Sequence, residues 1–367
     1  MSKKQFFRAV IFLVVFGVIF SYVNAVFSFP PGREGSRVKE RFNAFYSLPD
    51  HTLDCAYLGA SGVGRYWVGP QAYHDYGIST FALSSGAQPL LFIKYMMKET
   101  VKHHEPKLFI VDLRQVVKSA DSMNDSFIRR VTDNMPFSLN RIQAVNAALD
   151  YAELGENEVD ATDLSYYIPI LKYHSRWDGG ITLKNLLEPN PIDNYMGYSA
   201  RAKVIYKINP QPQPELTSET QPIPKETEDV LVDLLDYCDT LEDVQFLFVA
   251  SPYPEKADVM RQLNYAMQIV ESRGYDTLNF NTQKLYDAVG LSFDTDYHDN
   301  HHVNLVGALE YTDYLARYIQ ERYNLPDHRG DSNYQSWEES YRDYREITAE
   351  GLVDLRQRIK EKESEAS

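Results

Sequence analysis

Near its C-terminus the chain reads Asp299-Asn300-His301-His302-Val303-Asn304, followed by Gly307-Ala308. A carboxylate three residues before an imidazole can accept from one ring nitrogen, fix the tautomer and leave the other nitrogen free as a base. On the first turn of a helix, residues three apart share a face, so Asp299 and His302 are expected to meet there. A base needs a nucleophile, and Ser61 supplies one far upstream. It sits in Leu53-Asp54-Cys55-Ala56-Tyr57-Leu58-Gly59-Ala60-Ser61-Gly62-Val63-Gly64, a short strand running into a glycine-punctuated turn. Gly59 and Gly62 let the backbone turn sharply and approach a substrate, and the amide of Ser61 or its neighbour can then face a developing oxyanion. The chemistry implied is acyl transfer through an acyl-serine.

Each part also has a plainer reading: Ser61 as a helix cap, and Asp299 as a capping residue beside a surface His. His298 and His301 crowd the segment, which opens a metal-binding alternative. No second ligand cluster with regular spacing occurs in the sequence, so no metal and no cofactor are expected. His103-His104, at a helix end, reads as surface.

These residues need elements to hold them. Apolar runs predict strands at Leu53–Leu58, Lys107–Leu113 and Val244–Ala250, and short strands are expected at Ile78–Ala82 and Thr277–Asn279. Between and after them, helical patterns cover Pro89–His103, Lys225–Tyr237, Lys256–Arg273 and Leu305–Tyr323. Strands alternating with helices predict a three-layer α/β/α domain with a mainly parallel sheet, over residues 49–327. Residues 119–224 break that rhythm with a helical part, an aromatic patch (Tyr166 to Trp177) and a Pro/Gln/Glu run, and read as a cap inserted over the active-site edge. In that patch Tyr173, Arg176 and Trp177 are candidate substrate contacts, as a stacking platform for sugar rings with a cation beside it. The plainer reading is cap core. Residues 328–367 read as a charged tail with an exposed helix from Trp337.

At the other end, Lys3, Lys4 and Arg8 precede an uncharged run from Ala9 to Pro31. Its length suits a bilayer core, which needs about 20 apolar residues. The basic residues predict 1–8 inside, 9–29 spanning and the remainder outside. A signal peptide cleaved after Val23-Asn24-Ala25 is the rival. Residues 30–48 read as a polar stalk. The 367 residues suffice for a sizeable core, and the net charge of -15 argues against nucleic-acid binding. Cys55 and Cys238 sit among apolar neighbours and read as buried free thiols.

Taken together, the blocks Gly59-Ala60-Ser61, Ala82–Pro89 (Ala-Leu-Ser-Ser-Gly-Ala-Gln-Pro), Ser251–Pro254 and Asp299-x-x-His302-x-Asn304 resemble the SGNH/GDSL hydrolase family. The resemblance is closest to its membrane-anchored branch, related to the D-alanine transfer protein of teichoic-acid modification (DltD). Lys172-Tyr173-His174 with Arg176-Trp177, and Gly197-Tyr198, are similar to that branch's cap. The resemblance covers about Leu53 to Tyr323 and implies a flavodoxin-like sheet, with Ser61 as nucleophile, His302 as base and Asp299 as orienting acid. It implies an oxyanion hole of Ser61 and Gly86, with the Ser85 side chain as a further donor. The family's oxyanion Asn has no match, because Ser251-Pro252 stands where it is expected. The activity implied is that of an extracytoplasmic serine acyltransferase on a cell-envelope glycopolymer, carrying acetyl or D-alanyl groups. The partner implied is a multispanning membrane O-acyltransferase (MBOAT-type) that delivers the acyl group. A plain esterase on the same polymer, or a silent accessory subunit that binds it, are the alternatives.

Overall fold

The five expected strands form, all parallel: β1 (Cys55–Gly59), β2 (Thr80–Ser84), β3 (Leu108–Asp112), β4 (Gln245–Ala250) and β5 (Asp276–Asn279). The computed structural model describes residues 2–30 and 37–366. The strands lie in the order β2-β1-β3-β4-β5 in one sheet, with Cys55 level with both Thr80 and Leu108. Alternate residues enter different cores: Ala56, Leu58, Phe109 and Val111 one, Cys55, Tyr57, Leu108 and Ile110 the other. Burial on both faces is why the central strands β1, β3 and β4 read as nearly unbroken apolar runs, whereas the edge strand β5 is half-exposed. From β1 the chain moves to β2 on one side and later to β3 on the other. The crevice beyond the carboxyl ends of β1 and β3 is therefore the place where open parallel sheets bind ligands.

Helix α1 (Lys3–Phe27) is long and apolar enough to cross a membrane, with a mean hydropathy of 2.5 over its best window. The stalk expected over 30–48 falls partly on residues 31–36, outside the described residues. Its remainder is not a stalk: α2 (Val38–Ser47) buries Val38, Phe42 and Phe45 against the sheet's core. Short α3 (Val63–Tyr66) and α4 (Gly69–Tyr76) follow β1, and α5 (Phe92–His103) links β2 to β3.

Between β3 and β4 come α6 (Asp125–Thr132), α7 (Leu139–Ala152), α8 (Ile170–Tyr173), α9 (Leu183–Leu187) and α10 (Lys225–Cys238). The first part of this insertion is core as well as cover, since Ile128, Val131, Val145 and Leu149 join the cluster that holds α5. The chain closes with α11 (Ala257–Ser272), α12 (Gln283–Val289), α13 (Leu305–Tyr323) and α14 (Gln335–Ala366). The tail helix α14 is not simply exposed. Trp337, Tyr344 and Leu355 are buried, and Trp337 stacks on Tyr73 of α4. Cys55 and Cys238 are free and buried, in the two different cores.

Candidate active site

Ser61 lies in the turn between β1 and α3, at the carboxyl end of the sheet. Gly59 is required there because a Cβ would come within 2.7 Å of the Val63 side chain and 2.9 Å of Asp112. The Ser61 hydroxyl meets His302 Nε2 at 2.8 Å. His302 Nδ1 faces both carboxylate oxygens of Asp299, at 3.0 and 3.1 Å. With the proton on Nδ1 donated to Asp299, Nε2 accepts from the serine, which is the arrangement of a nucleophile, its base and the base's orienting acid.

The Asp-x-x-His spacing works, but not on a helix. Helix α13 starts at Leu305, capped by Asn304, whose side chain accepts from the amides of Val306 and Gly307. Asp299 and His302 belong to the tight loop before it. An isolated bridge pairs Tyr297 with Val303, and the His298 amide donates to the His302 carbonyl at 3.0 Å. Asp299 also accepts from its own loop, at the His301 amide. The loop ladder, not helical periodicity, brings the carboxylate under the ring.

Asp299 serves a second imidazole. His298 Nε2 lies 3.2 Å from its carboxylate, while His298 Nδ1 faces the Val303 carbonyl at 2.8 Å. Burial acts to raise the Asp299 carboxyl, but hydrogen bonds from His298 and His302 outweigh it and hold it well below the usual carboxylate range. Burial lowers His302 to about 4 despite its Asp299 bond, and the nearby cations Arg114 and Arg65 push the same way. The base is therefore neutral and able to accept a proton at neutral pH. His298, Asp299 and His302 are also compact enough to hold a metal ion. Both ring nitrogens of His302 are already engaged in the relay, so ligation through either would break it.

The sheet-edge cavity in front of Ser61 encloses about 560 Å³. Ser61, Gly62, Ala87 and His302 line it, with Leu90 and Phe127 on its apolar side and Arg114, Lys118 and Glu255 among its charged groups. Of the expected oxyanion residues, Ser61 lines this space. Ser85 and Gly86 do not. The Ser85 side chain is buried without a hydrogen-bond partner, and the Gly86 carbonyl accepts from Arg130 at 2.8 Å. On that same trans peptide the Ala87 N–H is turned the opposite way. Ala87 holds a left-handed backbone, φ +49°, an unfavourable state for a residue with a Cβ. Among the described residues the amides of Ser61, Gly62 and Ala87 have no protein acceptor. Ser251 does not replace the family's Asn, because its hydroxyl donates to Asp112 instead.

Tyr173, Arg176 and Trp177 are not in this cavity. They seat the end of α1. Arg176 donates to the carbonyls of Val26 and Ser28, each at 3.1 Å, Trp177 stacks on Phe27, and Tyr173 meets Phe29 edge-on while its hydroxyl bonds Asp133. His104 is likewise not at the surface: it is buried beside Phe45.

Sequence reasoning passed over Arg114. The signal was available, since Asp112-Leu113-Arg114 directly follows the apolar run of a central strand. Comparison with protein-family models, curated proteins and solved structures found no match. The functional reading therefore rests on the geometry.

Proposed function

We propose that this chain is a membrane-anchored serine O-acyltransferase of the SGNH type, acting outside the cytoplasm on a cell-envelope glycopolymer. The observation that carries the reading is the continuous relay from Ser61 through His302 to Asp299 at the β1/β3 switch point. In this mechanism Ser61 Oγ attacks the carbonyl carbon of an acyl donor as His302 Nε2 takes its proton. The oxyanion is met by amides of the Ser61–Gly62 and Gly86–Ala87 turns. Collapse expels the donor's leaving group, which receives the proton from His302, and leaves an acyl-serine. A sugar hydroxyl then gives its proton to His302 and attacks the acyl carbon, and Ser61 departs reprotonated.

An all-parallel five-stranded sheet with a buried core on each face suits the SGNH arrangement. An anchored α1 favours transfer, because it keeps the nucleophile beside a membrane-borne donor. The packed end of α1, with Lys39 donating to the Ala25 carbonyl at 2.7 Å, supports an uncleaved anchor. An MBOAT-type membrane acyltransferase would supply the acyl group, acetyl or D-alanyl. The test is loss of polymer acylation: mass spectrometry of envelope polysaccharide from cells carrying Ser61→Ala should show the acyl ester missing. Unchanged acylation would sink the proposal. Increased acylation would instead identify an esterase.

A further inference from the structure

Arg114 is a cation that makes no salt bridge among the described residues. It is only 8% exposed, and no carboxylate lies within ion-pair distance of it among the described residues. One N–H donates to the His301 carbonyl at 3.0 Å, and the guanidinium lies over the Tyr253 ring, 3.8 Å from its centroid. The nearest acid, Asp112, is committed elsewhere, to the Arg114 backbone amide and to the Ser251 hydroxyl. Burying a charge without a bonded counter-charge is costly, and Asp112 offsets this one only through space, yet it is held at the wall of the catalytic cavity. It stands over Gly62, where a Cβ would meet Nη1 at 2.7 Å and push the guanidinium aside. Lys118 adds a second positive group to the same cavity.

We propose that Arg114 is a specificity-determining residue that binds an anionic group, carboxylate or phosphate, carried by the glycopolymer next to the reacting hydroxyl. The inference rests on the acyltransferase reading for its substrate, but its test does not need turnover. Arg114 also steadies the His301 carbonyl, and a purely structural role would weaken all ligands alike. The experiment is equilibrium binding to the full chain in detergent, with Ser61→Ala to prevent reaction. The probes are a neutral glucan oligosaccharide, a uronate oligosaccharide and a phosphodiester-linked glycan of equal length. At least one acidic probe should bind ten-fold or more tighter than the neutral one, and the tighter of the two names the anion. Arg114→Gln should remove that preference, and Arg114→Lys should retain part of it. Equal affinity for all three probes overturns the proposal, as does a preference that survives Arg114→Gln. Failure of the acyltransferase reading would show separately, as absence of acylation at Ser61.

A second inference comes from the anchor. The Tyr22 hydroxyl donates to the Leu186 carbonyl at 2.5 Å, so α9 lies level with a point five residues before the end of α1. At 1.5 Å rise per residue that is about 7 Å below the helix end. The side chains there are apolar and exposed: Leu183 71%, Leu187 78% and Trp177 76%. We infer that Trp177–Leu187 dips into the outer leaflet beside α1, at the depth where interfacial segments bury about 5–10 Å. It rests on α1 spanning the bilayer. Trp67 and Trp337 are fully buried, so of the three tryptophans only Trp177 is open to contact quenchers. In proteoliposomes of the full chain, lipids brominated high on the acyl chain should quench Trp177 emission, identified by its loss in Trp177→Phe. Leu183→Asp with Leu187→Asp should relieve that quenching. Emission untouched by bromine but quenched by aqueous iodide overturns the inference. Protein that does not float with the vesicles overturns it together with the anchor.

Discussion

Asp296 and Asp299 stand three residues apart in one loop and have opposite electrostatics. Asp299 is half-exposed and receives hydrogen bonds from two imidazoles, which hold it ionised. Asp296 is buried; the Ser292 amide and the Thr295 hydroxyl donate to it. Burial raises its carboxyl, and it raises the adjoining Glu310 as well, with the Asp296 charge adding to the effect. One acid is built to carry charge under a base. Burial beside a second acid pushes the other toward its neutral form. The residue type is the same; imidazole donors on one side, and burial beside a second acid on the other, set the two carboxyls apart.

Neutralising each acid should separate them. Asp299→Asn should lower acyl transfer by up to about 10⁴ with the fold intact, the size expected when a triad acid loses its charge. Asp296→Asn should leave turnover within about three-fold, because Asp296 makes no bond to His302; matched kinetics on the two variants decide it. His298→Gln should cost about ten-fold or more, by analogy with the loss of an outer-shell group that orients a metal-ligating side chain. That loss should appear in kcat and leave KM little changed.

The pH profile sharpens the same contrast. With His302 lowered to about 4 by burial and its cationic neighbours, kcat/KM should hold level down through pH 5 and fall only near pH 4. An acid limb near the ordinary histidine value would contradict the burial argument. The smallest effect concerns stability. A carboxyl raised in the folded state stabilises fully below its unfolded value and loses that contribution as pH rises through the folded one. Glu310, raised to about 9, should therefore make the protein less heat-stable at pH 8 than at pH 5. Glu310→Gln should flatten the difference by a few degrees, measured by thermal unfolding at both values.

The central strands were legible because residues buried on both faces leave nearly unbroken apolar runs, and α13 because its amphipathic period is clear, Leu305–Tyr323 coinciding with its predicted bounds. The triad was legible from residue type and order alone. Its local geometry was not, since a three-residue spacing fits a helical turn as well as the bridged loop that Tyr297 and Val303 close. The packing of α2 and α14 was hidden for another reason. In α2 the charged Lys39, Glu40 and Arg41 are buried along with Phe42 and Phe45, and in the charge-rich α14 only a narrow stripe, such as Trp337, Tyr344 and Leu355, turns inward. Aromatic residues of the cap suggested sugar stacking, whereas Trp177 and Tyr173 meet the phenylalanines at the end of α1. Composition names a sticky surface without naming what it sticks to.

The central claim is that Ser61 is a nucleophile activated by His302. The direct measurement is intact mass of the full chain in detergent after exposure to a panel of activated acyl esters. A single acyl adduct should form on Ser61, disappear in Ser61→Ala, form far more slowly in His302→Ala, and discharge to an oligosaccharide hydroxyl. No adduct from any donor, or an adduct that persists in Ser61→Ala, would contradict the account.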